Sequence, residues 1–259
     1  MKASITTTLA FIMMSLYSFG QGLENYKDII NIDDEFELLA SNKQELRLKD
    51  LSHFWINNRT DRRFGFIGIN YRRLRIKFLS IIKNNEDPTQ YFVYGKSKVS
   101  DNICAFQGTI TVRESHYIKG LESPNGNTGI LAGEYKFYED PKSKHSGVFE
   151  GRFVTYWYRD EEGNIKYNDL GSVSAMYNNN QFAGTWTGYG NKERMAANWG
   201  DGRVPQSGDL DVGTSEFGVN EKYQMNGWDS LIKMMGGGNS KEEKEKAMKE
   251  EHRIWWRDE

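Results

Sequence analysis

The sequence predicts a mainly β protein, an antiparallel β-barrel or barrel-like sandwich of about seven to nine strands, with a short N-terminal helical lead-in and a C-terminal helix. The first observation behind this prediction is a pattern in which a glycine stands between two bulky apolar residues at every second position. It occurs at residues 106–110, 131–135, 149–153 and 182–186. Alternate residues of a strand share a face, so each glycine leaves a gap where the strand can bend or a large side chain can enter from across the barrel. The second observation is that clusters of Asn, Asp, Gly and Pro separate the strand-like segments.

Residues 1–20 are typical of an export signal that is removed from the mature protein. Lys2 supplies the positive charge, residues 9–14 form the apolar stretch, and Ser18 and Gly20 are small residues near the cut. The rival interpretation is a membrane anchor, but the apolar stretch is shorter than the roughly 20 residues that a spanning helix needs. We therefore expect a mature chain that begins near Gln21, has no transmembrane anchor and is secreted or periplasmic.

The charge balance and the cysteine count exclude several classes of protein. Lys and Arg number 34 against 36 Asp and Glu, for a formal net charge of -2. This balance gives no electrostatic basis for binding nucleic acid. The only cysteine, Cys104, excludes an internal disulfide, which for an exported protein is more typical of a bacterial envelope or secreted protein than of an extracellular animal domain. Because Ile103 and Ala105 flank it, we expect Cys104 to be a small buried residue.

The strands can be followed along the chain. Residues 24–60 mix helical and irregular signals and predict a short helix and an extended lead-in. From Arg75 the alternation of basic and apolar residues indicates a strand, which a turn at 84–88 ends before the return strand begins at Tyr91. The clearest hairpin has its turn at residues 160–164. The residues expected to share buried faces are Phe149, Gly151, Phe153, Thr155 and Trp157 in that hairpin, and Phe182, Gly184, Trp186 and Gly188 in a later strand.

The C-terminal part of the chain departs from this pattern. Residues 191–229 are rich in Gly, Asp and Trp and predict an ordered loop region, which completes a single β-rich domain over residues 21–235. Residues 236–259 then predict a glycine linker and a charged helix, which begins with a capping box at residues 240–243. Paired exposed tryptophans are uncommon, so we expect Trp255 and Trp256 to dock on the protein's own body or on a protein partner.

Four acidic residues of the loop region are candidate metal ligands. Asp201, Asp209, Asp211 and Glu216 could converge as oxygen ligands on calcium, although their spacing is not that of an EF-hand. The alternative is that these residues shape tight turns through hydrogen bonds to their own backbone. Two of the same acids could also serve as a glycosidase pair, with Trp199 and Trp228 stacking a sugar ring.

The sequence supports no catalytic residue beyond that pair. The four histidines lie far apart in the chain, and residues 171–175 resemble a nucleophile elbow only superficially because the last glycine is replaced by Ala175. An aromatic inner face suits a small apolar ligand at the barrel mouth or in the loops of residues 191–229. The predicted ligand-binding residues are Trp157, Trp186, Trp199 and Trp228. The same rings could instead fill the core.

Two resemblances accompany these observations. Residues 184–186, Gly-Thr-Trp, resemble the glycine-any-tryptophan signature of lipocalin-type barrels, and the glycine-interrupted aromatic strands are similar to those of calycin barrels. In lipocalins that motif opens the barrel, whereas here it comes late in the strand series. The run from Asn198 through Gly213 to Trp228 resembles exported β-rich bacterial proteins with no established function, which implies a shared fold and location.

The sequence therefore predicts an exported, non-enzymatic binding or interaction module with a lipocalin-like barrel. Its expected ligand is a small apolar molecule or a glycan, and calcium is the only cofactor considered. The alternative hypothesis is a calcium-assisted or carbohydrate-active envelope enzyme that uses the acidic residues of the 191–229 loops.

Overall fold

The protein is a closed antiparallel β-structure, as the sequence predicts. The computed structural model describes residues 23–29, 37–56, 62–119, 126–170 and 177–257, so the predicted export signal at 1–20 lies outside the described residues. The strands are β1 (Glu37–Ser41), β2 (Arg63–Ile67), β3 (Arg72–Lys83), β4 (Gln90–Val99), β5 (Asn102–Lys119), β6 (Thr128–Glu139), β7 (Gly147–Arg159), β8 (Ile165–Tyr167), β9 (Asn179–Gly188) and β10 (Arg194–Asp201). The α-helices with both ends among the described residues are α1 (Lys43–Arg47), α2 (Asp229–Met235) and α3 (Lys241–Glu251).

The described strands form one 10-stranded sheet that closes into a ring. Each strand of the ring pairs with the next along the chain, in the order β2, β3, β4, β5, β6, β7, β9, β10, and β10 returns to β2 with Trp199 opposite Gly65. The short strands β1 and β8 attach to the sides of β5 and β7, which explains why the sheet has more strands than the predicted range. The ring is therefore an up-and-down barrel and not a sandwich.

Aromatic rings fill the barrel interior. Phe182 and Trp199 stack with their ring centroids 5.0 Å apart, and both are fully buried. The glycines make room for such rings: a Cβ on Gly129 would lie 2.1 Å from Trp157, and one on Gly133 would lie 2.7 Å from Phe153. Of the four predicted gaps, side chains enter those at Gly133 and Gly184, whereas neighbouring backbone approaches closely at Gly108 and Gly151.

A segment that precedes the ring closes one end of the barrel. The 3₁₀-helix Ser52–Phe54 places the rings of Phe54 and Trp55 in the core, where both are 0 % exposed. The Trp55 Nε1 donates a hydrogen bond to Thr155 Oγ1 at 3.2 Å, and the Asn180 Nδ2 donates to the Phe54 carbonyl oxygen at 2.9 Å. The interior is thus blocked from this side, called the closed end below.

Two further apolar clusters cover the outside of the barrel. Leu23, Tyr26 and Ile29 pack on β5, β6, β7 and β9. The outward side chains of β2 pack against the segment that follows β10, in a cluster of Phe64, Phe66, Val204, Leu210, Phe217, Trp228 and Leu231. Because these segments bring their own apolar residues, the outer face of β2 is buried as deeply as the inner face.

The predicted loop region needs one correction. Residues 194–201 form β10 and not a loop, because Ala197 and Trp199 face the core while small and polar residues between them hide the alternation in the sequence. Beyond Asp201 the chain does form loops with two 3₁₀-helices, Gly208–Leu210 and Glu221–Asn226. The predicted capping box is confirmed at the start of α3, between Ser240 and Glu243.

The C-terminal segment docks on the barrel. The Glu251 carboxylate accepts hydrogen bonds from Arg73, at 2.7 and 2.5 Å, and from Arg75 at 3.3 Å. Trp255 is 5 % exposed, and the ammonium group of Lys77 lies 4.8 Å from the centre of a Trp256 ring. The structure shows the first of the two predicted possibilities, in which the segment docks on the protein's own body. None of the helices in the described ranges combines the length and apolar character that crossing a membrane requires.

Candidate ligand-binding site

The end of the barrel opposite the closed end opens into a cleft. Antiparallel strands alternate in direction, so the turns between β2 and β3, β4 and β5, β6 and β7, and β9 and β10 all lie at this end, called the mouth below. The cleft between them has a volume of about 920 Å³ and receives residues from all four hairpins. Its lining is mixed: Ile67, Val99, Pro141, Trp186 and Met195 are apolar, and charged or polar side chains, among them Arg72, Asp101, Asn102 and Glu193, line the rest.

Glu139 lies at the floor of this cleft and is 4 % exposed. It is the last residue of β6 and continues the inward row of Tyr135 and Phe137. Its Oε2 accepts hydrogen bonds from the Gly147 backbone N–H and from Trp186 Nε1, both at 2.8 Å. Its Oε1 accepts a hydrogen bond from the Ser97 hydroxyl. The carboxyl group thus joins β4, β6, β7 and β9 at the mouth.

Burial sets the protonation of this carboxyl group. Removal from water raises the pKa of Glu139 above its ordinary value, and the hydrogen bonds from Ser97, Trp186 and Gly147 oppose that rise only in part. A carboxyl with a raised pKa keeps its proton to higher pH and can then donate a hydrogen bond as well as accept one. At the cleft floor, both oxygens of Glu139 already accept hydrogen bonds from Ser97, Gly147 and Trp186.

Each of the four mouth turns has a locally strained position. Each holds one non-glycine residue in the left-handed region: Tyr71 (φ 49°), Ser100 (φ 54°), His145 (φ 51°) and Lys192 (φ 56°). Tight hairpin turns need such conformations, and a side chain other than glycine adopts them at a cost. Every turn of the mouth contains one such residue. The surrounding structure must hold these conformations in place, so the rim of the cleft has a defined shape.

The structure brings one of the four predicted ligand-binding tryptophans to the cleft. Trp186 lines the wall and keeps 8 % of its surface exposed. Trp157 and Trp199 are 0 % exposed in the barrel core. Trp228 is equally buried on the outside of β2, where its Nε1 donates a hydrogen bond to the Tyr71 carbonyl oxygen at 2.8 Å. It supports a mouth turn from behind.

The predicted metal ligands lie apart and have other partners. Asp201 is at the closed end, where Arg63 binds it through two hydrogen bonds of 2.7 and 3.0 Å. Asp211 pairs with Arg203 at 2.6 Å, and the exposed Asp209 pairs with Lys222. Glu216 is exposed. Within the described residues, no group of three or more His, Cys, Asp and Glu side chains is arranged to hold a metal ion.

The residue at the cleft floor was missed by the sequence analysis. A weak signal for it existed: Glu139 stands at the inward position of the glycine-bearing strand, two residues after Phe137 and just before the turn at Asp140 and Pro141. An acid in phase with a buried row indicates a polar group inside the barrel.

Cys104 is buried as predicted, and burial raises the pKa of its thiol to about 11, which keeps it unreactive.

Comparisons of the chain with family models, with curated proteins and with solved structures find no match. The geometry of the cleft is therefore the basis on which a function can be proposed.

Proposed function

We propose that this protein is a non-enzymatic binding module that takes one small amphipathic molecule into the mouth cleft. The observation that carries the proposal is the position and lining of the cleft: four turns surround it, apolar and polar side chains line its walls together, and a buried carboxyl group lies at its floor. Concave, largely apolar sites with a few polar groups are the usual binding sites of small molecules.

The filled interior directs the ligand to the mouth. The sequence left open whether aromatic rings line a cavity or fill the core, and Phe153, Phe182 and Trp199 stack in series with centroid distances of 5.5 and 5.0 Å. A molecule inside the barrel would have to displace these rings from a closely packed environment. A molecule can enter the mouth cleft without displacing these packed rings.

The composition of the cleft indicates the chemical class of the ligand. Ile67, Val99, Met195 and the Trp186 ring can pack against an apolar body, while Glu139 and the side chains of Asn102 and Ser143 offer hydrogen bonds. We therefore expect an amphipathic molecule, whereas the sequence predicts a small apolar molecule or a glycan. Export to the periplasm or the outside, through residues 1–20, is part of this proposal.

Native mass spectrometry of the mature protein, purified gently from its own host, tests the proposal directly. We expect a mass above that of the unfolded chain by one small molecule. Gly190 gives a matched variant, because it lines the cleft and a Cβ added to it meets nothing within 4 Å. Gly190→Trp should fill the cleft and abolish the extra mass, whereas Gly237→Trp, at an equally open glycine in the linker, should retain it.

A second measurement uses a defined probe. Anilinonaphthalene sulfonate is a small amphipathic dye whose fluorescence rises in apolar sites. We expect Gly190→Trp to weaken its binding by about tenfold or more, since a filled cleft loses most of the buried apolar area. Equal binding by the wild type and Gly190→Trp, together with a bare native mass, would overturn the proposal.

A further inference from the structure

A row of basic residues follows the outer face of β3 beneath the C-terminal segment. Arg73, Arg75 and Lys77 occupy alternate positions of this strand, while the residues between them face the core. The neighbouring strand continues the pattern, because Lys98 of β4 lies opposite Arg75. Lys96 lies opposite Lys77 in the same pairing. Like charges directly opposite each other destabilise a sheet, so this face requires negative charge from elsewhere.

The C-terminal segment covers the row and leaves a small cavity beside it. The cavity has a volume of about 40 Å³ and lies between β2, β3 and residues of the segment. A cavity needs roughly 10–15 Å³ to hold one water molecule, so this one has room for a small ion or a few waters. Its charged and titratable lining consists of Arg63, Arg73, Arg75, Lys77, His252 and a single acid, Glu251.

The carboxylates at this site balance only part of the positive charge. Asp201 pairs with Arg63 and is fully engaged by it. The Glu251 carboxylate is shared, since it accepts hydrogen bonds from Arg73 and also from Arg75. One negative charge therefore serves two guanidinium groups.

Lys77 has no carboxylate partner at all. Its side chain is buried, and its ammonium group lies over the ring of Trp256. Within the ranges that the structure describes, this ammonium group forms neither a hydrogen bond nor an ion pair. The acid before Glu251 does not supply one, because Glu250 pairs with Arg253. A buried cation without a counter-charge is costly, and the cavity beside it is where an anion would fit.

The pKa values of two of these groups agree with this deficit of negative charge. Burial lowers the pKa of Lys77, and the nearby Arg63 lowers it further. Burial likewise lowers the pKa of Arg75 to about 10, and Arg73 adds to the effect. Removal from water and positive neighbours both disfavour the charged form of a basic group, whereas an adjacent anion favours it.

We propose that this cavity binds one small inorganic oxyanion, of the sulfate or phosphate type, between Arg75, Lys77 and the C-terminal segment. Arg75 has five N–H donors and donates one described hydrogen bond, to Glu251 at 3.3 Å, while the three donors of Lys77 are unused. Several unused donors favour an ion with several acceptor oxygens over a single-atom halide. The cavity shares no lining residue with the mouth cleft, so the inference is independent of the proposed function.

The test is calorimetric titration of the mature full-length protein with sodium sulfate, at an ionic strength held constant with sodium chloride. We expect saturable binding of one sulfate per chain. Lys77→Gln should weaken this binding by about tenfold or more, the loss expected for one charge-assisted hydrogen bond. Lys77→Arg, which keeps the charge and the donors, should retain it.

Lys98 provides the matched control. It lies on the same face, opposite Arg75, but does not line the cavity. Lys98→Gln removes the same charge and should bind sulfate within about twofold of the wild type, since a partly exposed charge outside the site is screened by salt. The proposal is overturned if the wild type shows no saturable binding, which would mean that only water occupies the cavity. Equal losses in Lys77→Gln and Lys98→Gln would also overturn it.

Melting temperatures in sulfate-free buffer give a second measurement. Lys77→Gln should melt at or above the temperature of the wild type, because it removes a buried cation that lacks a counter-charge. A melting temperature well below that of the wild type, or failure to fold, would show that the Trp256 ring alone satisfies Lys77, and would contradict the proposal.

A third variant tests whether the chain supplies the anion itself. Asp258 and Glu259 follow the docked tryptophans in the sequence and lie outside the described residues. Deleting both should leave sulfate binding unchanged. Binding that appears only after this deletion would identify the chain's own carboxylates as the occupant and would overturn the proposal.

Discussion

At the scale of single residues, Asp201 has a structural role at the closed end. Besides Arg63, it accepts hydrogen bonds from Tyr167 and Asn180, both at 2.9 Å. The side chains of Arg63 and Asp201 are 4 % and 7 % exposed. Two buried opposite charges with satisfied hydrogen bonds connect β2, β8, β9 and β10. The sequence could not distinguish such a structural carboxylate from a metal ligand, because Arg63 lies 138 positions away.

Asp201→Asn is expected to lower the free energy of unfolding by about 3–5 kcal/mol, because Arg63 remains buried without a charge partner. Urea unfolding followed by fluorescence measures this loss. Asp209→Asn is the control, since Asp209 is exposed and should leave the urea midpoint close to that of the wild type.

The same pair of variants tests the calcium prediction. If Asp201 and Asp209 were ligands of one ion, calcium would raise the melting temperature of the wild type, and both variants would lose that increase. Melting temperatures that do not respond to calcium in any of the three proteins would remove the calcium-assisted alternative.

Glu139 should make stability depend on pH. Its pKa in the folded protein is raised above the ordinary 4.5 by burial, so the native state keeps a proton that the unfolded chain releases. The free energy of unfolding therefore falls as pH rises from about 4.5 through the raised pKa. Glu139→Gln should remove this decrease, because a neutral amide can accept from Gly147 and Trp186 and donate to the Ser97 hydroxyl.

Urea unfolding of wild type and Glu139→Gln, from about pH 4 to about pH 8, checks this prediction. The Glu251 carboxyl, whose pKa is lowered, is present in both proteins, so the difference between them isolates Glu139. Although burial opposes it, the hydrogen bond and charge of Arg73 lower the pKa of Glu251. Parallel pH profiles would contradict the role assigned to Glu139.

At the scale of elements, the glycine-bearing strands show which structural features can be read from a single segment of the sequence. The sequence located these strands and their inward faces because the alternation with period two is visible within one segment. It did not identify the partner that enters each gap. Phe153 fills the space at Gly133 from the neighbouring strand, where the two residues are opposite each other in the pairing of β6 and β7.

Gly133→Ala should destabilise the protein by about 3 kcal/mol, the upper part of the range for an overpacked core. A Cβ there would lie 2.1 Å from the Thr111 carbonyl oxygen, and a backbone atom in a paired strand has little freedom to move. Thermal or urea unfolding measures the effect. Gly190→Ala is the matched control, and comparable losses in both would show that chain flexibility, and not packing, causes the effect.

β10 shows where the local pattern fails. Alanine and asparagine occupy its positions beside Trp199, so the hydrophobic alternation is weak, and the strand forms because β2 and β9 pair with it on both sides. Tertiary pairing overrides a weak local preference here.

At the scale of the whole molecule, the C-terminal segment is attached to a barrel that is already closed. The ring ends at Asp201, and the outer cluster around Trp228 extends to Leu231, with Ile232 and Met234 packed against it. Residues 236–259 add the contacts of Glu251 and Trp255 to the outer face of β3. The sequence left open whether this segment docks on its own chain or mediates assembly with a partner. Removing the segment distinguishes these two possibilities.

Deletion of residues 236–259 is expected to lower the melting temperature while the circular dichroism of the β-barrel is retained, because Arg73 and Arg75 lose their carboxylate. The mass in solution should fall only by that of the deleted segment, since Trp255 is buried on its own barrel. Light scattering measures it. Glu251→Gln in the full chain should reproduce part of the thermal loss, and a change of oligomeric state on deletion would instead favour assembly through Trp255 and Trp256.

The sequence alone determined the fold class, the inward rows of the central strands, the buried cysteine and the capped C-terminal helix, because each depends on residues a few positions apart. Only the tertiary structure decided that the sheet closes through β10 and β2, that Asp201 belongs to a buried ion pair, and that Glu139 and Trp186 meet at the mouth. These contacts join residues that are distant along the chain, and local periodicity carries no information about which distant residue completes a contact.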